Sequence, residues 1–165
     1  MDYVLDYCLA SLCFLAVTSY YYFRRRRVPS ARSRLYGILL VLGLASLLLD
    51  YLAAAADQYA ASFPAWMLYA VNILFLGCVQ YSAPAFLFYS LALTGLYARL
   101  KPWRRALLLT PFIIVLVLLL LSPFTGAGIF YLDSANSYRH GATHIALYIG
   151  TALYLLAGLT MVIIC

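Results

Sequence analysis

The residues best suited to chemistry are crowded into one connector, GIFYLDSANSYRHG, residues Gly128–Gly141. It brings Phe130, Tyr131, Asp133, Tyr138, Arg139 and His140 together between two runs that are almost purely apolar. His144 follows four residues after His140, in HGATH. On a helix that spacing puts both imidazoles on one face, as a metal pair requires. Asp133 could add an oxygen. Gly141 interrupts the pair, however, and neither an HExxH glutamate nor a cysteine ligand accompanies it. Polar capping of a membrane interface is the simpler reading, with pH sensing by His140 or His144 as a second. No metal or cofactor is expected.

Inside the apolar runs the chemistry is sparse. Asp50 is the only acid there that lies away from the end of a run. By the helical rise it lies ~22 Å along a span beginning near Leu35, and Asn72 lies ~10 Å from the same outer side, so the two could be level. An intramembrane carboxylate usually has a partner or a function. Asp50 therefore reads as one end of a helix–helix hydrogen bond or as the polar floor of an outward pocket. A proton relay lacks a second intramembrane carboxylate. Gln80, Tyr81, Ser82 and Pro84 make a polar, kinked patch, either a hinge and pocket wall or ordinary interhelical bonding. Ser122, Thr125 and Thr143 have no base at fixed spacing, no nucleophile elbow and no glycine-rich phosphate loop. The candidate ligand-binding residues are thus Asp50, Asn72, Gln80, Phe130, Tyr131, Asp133, Tyr138 and His140. No catalytic residue is expected.

The elements that position these residues follow from composition. The chain is 67% hydrophobic and only 10% charged, with mean hydropathy +0.95, where soluble domains carry about 25% charged residues. Lipid must be its main solvent. Five apolar spans are predicted, at 3–23, 35–56, 65–98, 106–121 and 142–165. The third would be about 50 Å long as a helix, too long for one ~30 Å core and too short for two crossings. It is expected to be a single tilted helix kinked at Pro84, which removes the donor that the Gln80 carbonyl would use. The four cysteines, Cys8, Cys13, Cys78 and Cys165, lie in apolar runs without CxxC spacing and read as small packing residues.

Orientation is read from the basic residues. Arg24, Arg25, Arg26, Arg27, Arg32 and Arg34 fill the first connector; Arg99, Lys101, Arg104 and Arg105 fill the third. Four of the five acids, Asp2, Asp6, Asp57 and Asp133, fall on the other side. The positive-inside rule then puts both basic connectors in the cytoplasm, with the N-terminus outside and the C-terminus inside. The same arginines can contact anionic headgroups at about 1 kcal/mol each. The net charge of +6 sits in these blocks, so nucleic acid is not an expected partner. The first span carries Asp2 and Asp6 ahead of its apolar run and its arginines after it, so it reads as an N-out anchor rather than a cleaved signal peptide. Aromatics flank the spans as an interfacial belt would. No internal repeat is present, which argues against an inverted-repeat transporter.

The outer connector itself is expected to be a small hairpin. Ile129–Asp133 is extended, Ser134–Ser137 turns with Asn136 able to go left-handed, and Tyr138–His140 pairs back. Gly128 and Gly141 bracket it. Two readings stand: an interfacial loop whose aromatics rest on headgroups, or a lid over an outward pocket.

With its arginine-rich first connector, its long third span ending in RLKPWRR, and SPFTGAGIFYLDSANSYRHG before the fifth, the chain resembles the N-terminal seven-transmembrane sensor region of bacterial histidine kinases and diguanylate cyclases. The likeness covers about five of that family's seven spans. It implies an all-α sensory input module in the inner membrane, with a small-molecule ligand and a second copy of the chain as candidate partners. It implies no enzyme activity for these residues, because they contain no phospho-accepting histidine segment, ATP-binding glycine boxes or GGDEF signature. Ending at Cys165, the chain is expected to be truncated relative to a seven-span parent. A small permease subunit or multispan assembly protein is the alternative.

Overall fold

The computed structural model describes residues 2–25, 30–125, 128–134 and 136–164. Arg26, Arg27 and Cys165 lie outside the described residues. The chain forms helices α1 (Asp2–Arg24), α2 (Ala31–Gln58), α3 (Ala65–Leu93), α4 (Leu96–Arg99), α5 (Pro102–Leu121) and α6 (Ile145–Ile164), with strands β1 (Phe130–Leu132) and β2 (Tyr138–His140) between the last two. The four helices α2, α3, α5 and α6 are each long and apolar enough to cross a membrane. Large side chains such as Phe14, Leu52, Ile114 and Leu156 point outward. An exposed surface of that kind is suited to lipid, not to water.

α3 is the hub of the bundle. It packs on α2, α5 and α6, while α1 packs chiefly on α2. Its buried positions include Ala83, Pro84, Ala85, Ser90 and Ala92, small residues that let neighbouring backbones approach closely. In the half of the bundle nearer the basic connectors, Ala83, Leu87, Leu91 and Tyr154 form one core cluster. The Tyr154 hydroxyl donates to the Leu108 carbonyl at 2.7 Å and accepts from the Phe112 amide at 3.1 Å. A hydroxyl is therefore inserted into the α5 backbone ladder one residue beyond Pro111, where the ring has already disturbed that ladder.

The third span differs from its expected form. It does not run as one helix over 65–98: α3 stops at Leu93, and Gly95 adopts φ 77° before the short α4. A left-handed residue cannot propagate a right-handed helix. Pro84 lies within α3, as expected, and is buried. Two other helices start earlier than the apolar pattern implies. α2 begins at Ala31, where the Ser30 hydroxyl accepts from the Ser33 amide, a side-chain N-cap. α5 begins at Pro102, whose fixed φ suits a first helical position. α6 begins three residues later than expected, at Ile145, because turns occupy 142–144.

The basic connectors are held to the bundle by backbone carbonyls. Arg32 Nε donates to the Ala92 carbonyl at 2.9 Å. Arg105 donates to the Tyr97 carbonyl at 3.0 Å, with its guanidinium 4.3 Å from the centre of the Tyr97 ring. Arg104 lies over Trp103. Arg24, Arg25, Arg99, Lys101 and Arg104 are exposed, as headgroup contacts or topology determinants would be.

Candidate functional site: a hairpin cap bonded to four helices

Aromatic and branched residues at Phe130–Leu132 favour an extended backbone, and Asp133 organises the turn that follows. Its carboxylate accepts from the Ser137 amide at 3.0 Å, and its carbonyl accepts from the Asn136 amide at 2.9 Å. Asn136 takes the left-handed conformation, φ 59°, which asparagine tolerates better than most residues. The returning strand pairs Phe130 with His140, Tyr131 with Arg139 and Leu132 with Tyr138. The Gly141 amide extends the ladder to the Ile129 carbonyl at 2.8 Å. A Cβ at Gly141 would overlap the Gly128 carbonyl oxygen, and one at Gly128 would come 2.5 Å from the Ser122 Cα. Both bracketing glycines are therefore required by close backbone approach, not by a positive φ.

The hairpin does not stand free. The Tyr138 amide donates to Asp57 Oδ1 in α2 at 3.2 Å. The Leu132 amide donates to the Tyr69 hydroxyl of α3 at 3.2 Å. The Ile129 amide donates to Ser122 Oγ, at the end of α5, at 2.9 Å. The chain then leads directly into α6. Phe130 and Ile129 have no exposed surface and complete a core cluster with Val115, Leu119 and Leu147. The hairpin is thus a docked cap over the bundle end, which decides against a loop resting only on headgroups.

A row of rings crosses the cap. Phe130 stacks on Tyr138 at 5.2 Å and meets Tyr69 at 5.4 Å. Tyr138 meets His140 edge-on at 5.4 Å. His140 and His144 lie 3.9 Å apart, centre to centre. His144 meets Tyr148, with Nε2 3.3 Å from the hydroxyl. The histidines do meet, but through a strand end and a turn rather than along a helix. Burial pushes the Tyr138 hydroxyl up to about 12, with Tyr148 adding to the shift. Burial also lowers the His144 pKa; His140 lowers it further, and the Ile129 carbonyl opposes the shift. Among the described residues, no group of three or more His, Cys, Asp or Glu could hold a metal ion.

The other predicted residues are more scattered. Gln80 is buried in α3, where Nε2 donates to the Leu147 carbonyl at 2.9 Å and Oε1 lies 3.0 Å from Thr151 Oγ1. It lines a groove of about 470 Å³ between α3 and α6, with His144 and Tyr148 further along the same wall. Asn72 is buried, and its Nδ2 donates to Leu68 of its own helix at 2.9 Å. Asp50 is half-buried in α2. Tyr131 faces away from the core. Asp133 pairs with Arg139 Nε at 3.2 Å.

Four residues that hold the site were not singled out as binding candidates: Asp57, Tyr69, Ser122 and Thr151. Asp57 and Tyr69 were legible only as a polar and an aromatic residue near span ends. Ser122 and Thr151 carry no local signal, because their partners lie 7 and 71 residues away.

No protein-family model, curated protein or solved structure matches the chain.

Proposed function

We propose that this chain is a sensory input module of a membrane signalling protein, with the hairpin cap as its input surface. The observation that carries this reading is the cap's attachment: α2, α3 and α5 each supply one side-chain acceptor to its backbone, and α6 continues its chain. A stimulus that shifts the cap must move or release several helix ends together. It acts only if it favours one helix arrangement over another. Gln80, which ties α3 to the first turns of α6, is a route for that displacement into the bundle.

In this reading α1 is a fifth span, the N-terminus and the cap lie outside, and the basic connectors lie in the cytoplasm of a bacterial cell. The arginines and Lys101 then rest on anionic headgroups at the inner face. The resemblance to seven-span sensor regions supports the same role. A histidine kinase or diguanylate cyclase output would lie outside these residues, and no catalytic role falls on them.

The test uses spin labels on Ser30→Cys and Lys101→Cys, in a background with the native cysteines replaced, reconstituted in lipid nanodiscs. Untying the cap with Ser122→Ala and Tyr69→Phe is expected to shift or broaden the distance distribution between the labels. An unchanged distribution at the basic end would sink the input role.

A further inference from the structure

We propose that His140 and His144 form a proton-binding site that undocks the cap from α6 when the medium facing the cap is acidified. The inference rests on the cap being the input surface and names its stimulus.

The geometry of the pair carries it. His140 is exposed and His144 half-buried, and their two imidazoles are in ring contact, 3.9 Å apart and inclined at 42°. The elements packed around them supply Tyr138 from β2, Tyr148 from α6 and the Ile129 carbonyl from the segment entering β1. Asp57 of α2 accepts from the Tyr138 amide, and Asp133 in the turn accepts from the Ser137 amide and pairs with Arg139. A neutral pair stacks without penalty, and a singly charged pair is tolerable beside tyrosine rings. A doubly charged pair at this separation repels.

The sign follows from the lowered His144 value. The docked form opposes protonation of His144 relative to the ordinary imidazole near 6.5. Docking is therefore complete above that ordinary value. It weakens as pH falls toward the lowered one, since the undocked form binds more protons across that window.

Gly141 lies between the two histidines, and its amide donates to the Ile129 carbonyl as the last rung of the ladder. Parting the rings therefore strains one backbone bond first. His144 also lines the groove that Gln80 shares, and Gln80 is bonded to Leu147, three residues further on. Movement of the first turn of α6 is felt in α3.

Hydrogen exchange of the peptide spanning 128–144 tests this in the full chain, in nanodiscs with a metal chelator present. Rates at about pH 7.5 and 5.0 are corrected for intrinsic exchange. Corrected exchange is expected to be about tenfold faster at the acid pH. His140→Gln with His144→Gln should abolish that difference, and the Asn pair should behave alike; Phe130→Ala marks a cap undocked at every pH. Equal corrected rates in the unsubstituted chain would overturn the proposal. So would an acid effect that survives in both histidine double variants. The Ser30–Lys101 label pair, read on the same samples, separates the two inferences. A cap that opens in acid while those labels stay fixed supports the proton site and removes the input role.

Discussion

Phe130 has no exposed surface, whereas Arg139 leaves 62% of its side chain open beside Asp133. That contrast decides which of them docks the cap. Truncating a fully buried phenylalanine costs about 3–5 kcal/mol, while an exposed ion pair contributes about 0–1 kcal/mol. Phe130→Ala should therefore remove most of the hydrogen-exchange protection at Leu132 and Gly141, and Arg139→Ala should leave it nearly intact. Ser122→Ala belongs between them. It leaves the buried Ile129 amide without its acceptor, a loss of about 1–3 kcal/mol. The Tyr138 hydroxyl adds an alkaline limit. Its pKa of about 12 in the docked cap exceeds the ordinary 10.0, so the docked form favours the neutral phenol. The associated stability is complete below the ordinary value and is lost as pH rises through about 12. Tyr138→Phe should make cap protection less sensitive to pH across that range.

Gly95 shows how a single backbone conformation redraws an element. Nothing lies within 4 Å of the position a Cβ would take there, so alanine meets no clash, only the left-handed penalty of about 1–2 kcal/mol. Gly95→Ala should lower the thermal midpoint in detergent, and Gly95→Asn should recover part of the loss. If both variants melt like the parent, the break between α3 and α4 is not held by Gly95. The same residue explains what the sequence could and could not reveal. Apolar length pointed to α2, α3, α5 and α6, the four helices long and apolar enough to cross a membrane, because hydropathy is a property of local composition. The hairpin was legible as well: branched and aromatic residues, the Ser134–Ser137 turn signal and an asparagine able to go left-handed are all local signals. The helix stop at Gly95 was missed because glycine also occurs inside membrane helices, as Gly77 and Gly150 do. The cap's acceptors were missed for another reason. Asp57, Tyr69 and Ser122 meet their partners only through tertiary packing, and no local spacing encodes that meeting. Asn72 shows the converse: its polarity suggested a binding role, yet its Nδ2 bonds back to its own helix.

The whole molecule depends on whether α1 crosses the bilayer with the others. Its 23 residues would extend about 34 Å at the helical rise, enough for a ~30 Å core. Its aromatic end packs on α2 at the basic side: Tyr22 reaches the Ser33 carbonyl and hydroxyl, and its ring meets Tyr36. These contacts place the end of α1 beside the start of α2, as a tight antiparallel pair of spans requires. With five crossings, residue 2 and the cap share one side, and Ser30 lies on the other. Single cysteines at Asp2, Ser30 and Ser137, in a background without the native cysteines, separate the alternatives in intact cells. An impermeant thiol reagent should label the cysteines at positions 2 and 137 and spare the one at 30. Labelling at 137 alone would leave α1 lying on the inner face and reduce the bundle to four crossings. Labelling at 30 alone would invert the whole domain, turning the cap toward the cytoplasm and removing any role in sensing the exterior. The arginines weigh against that inversion. Six basic residues lie within or beside the first connector and four around the third, and moving such clusters across the bilayer opposes the bias that sets membrane topology.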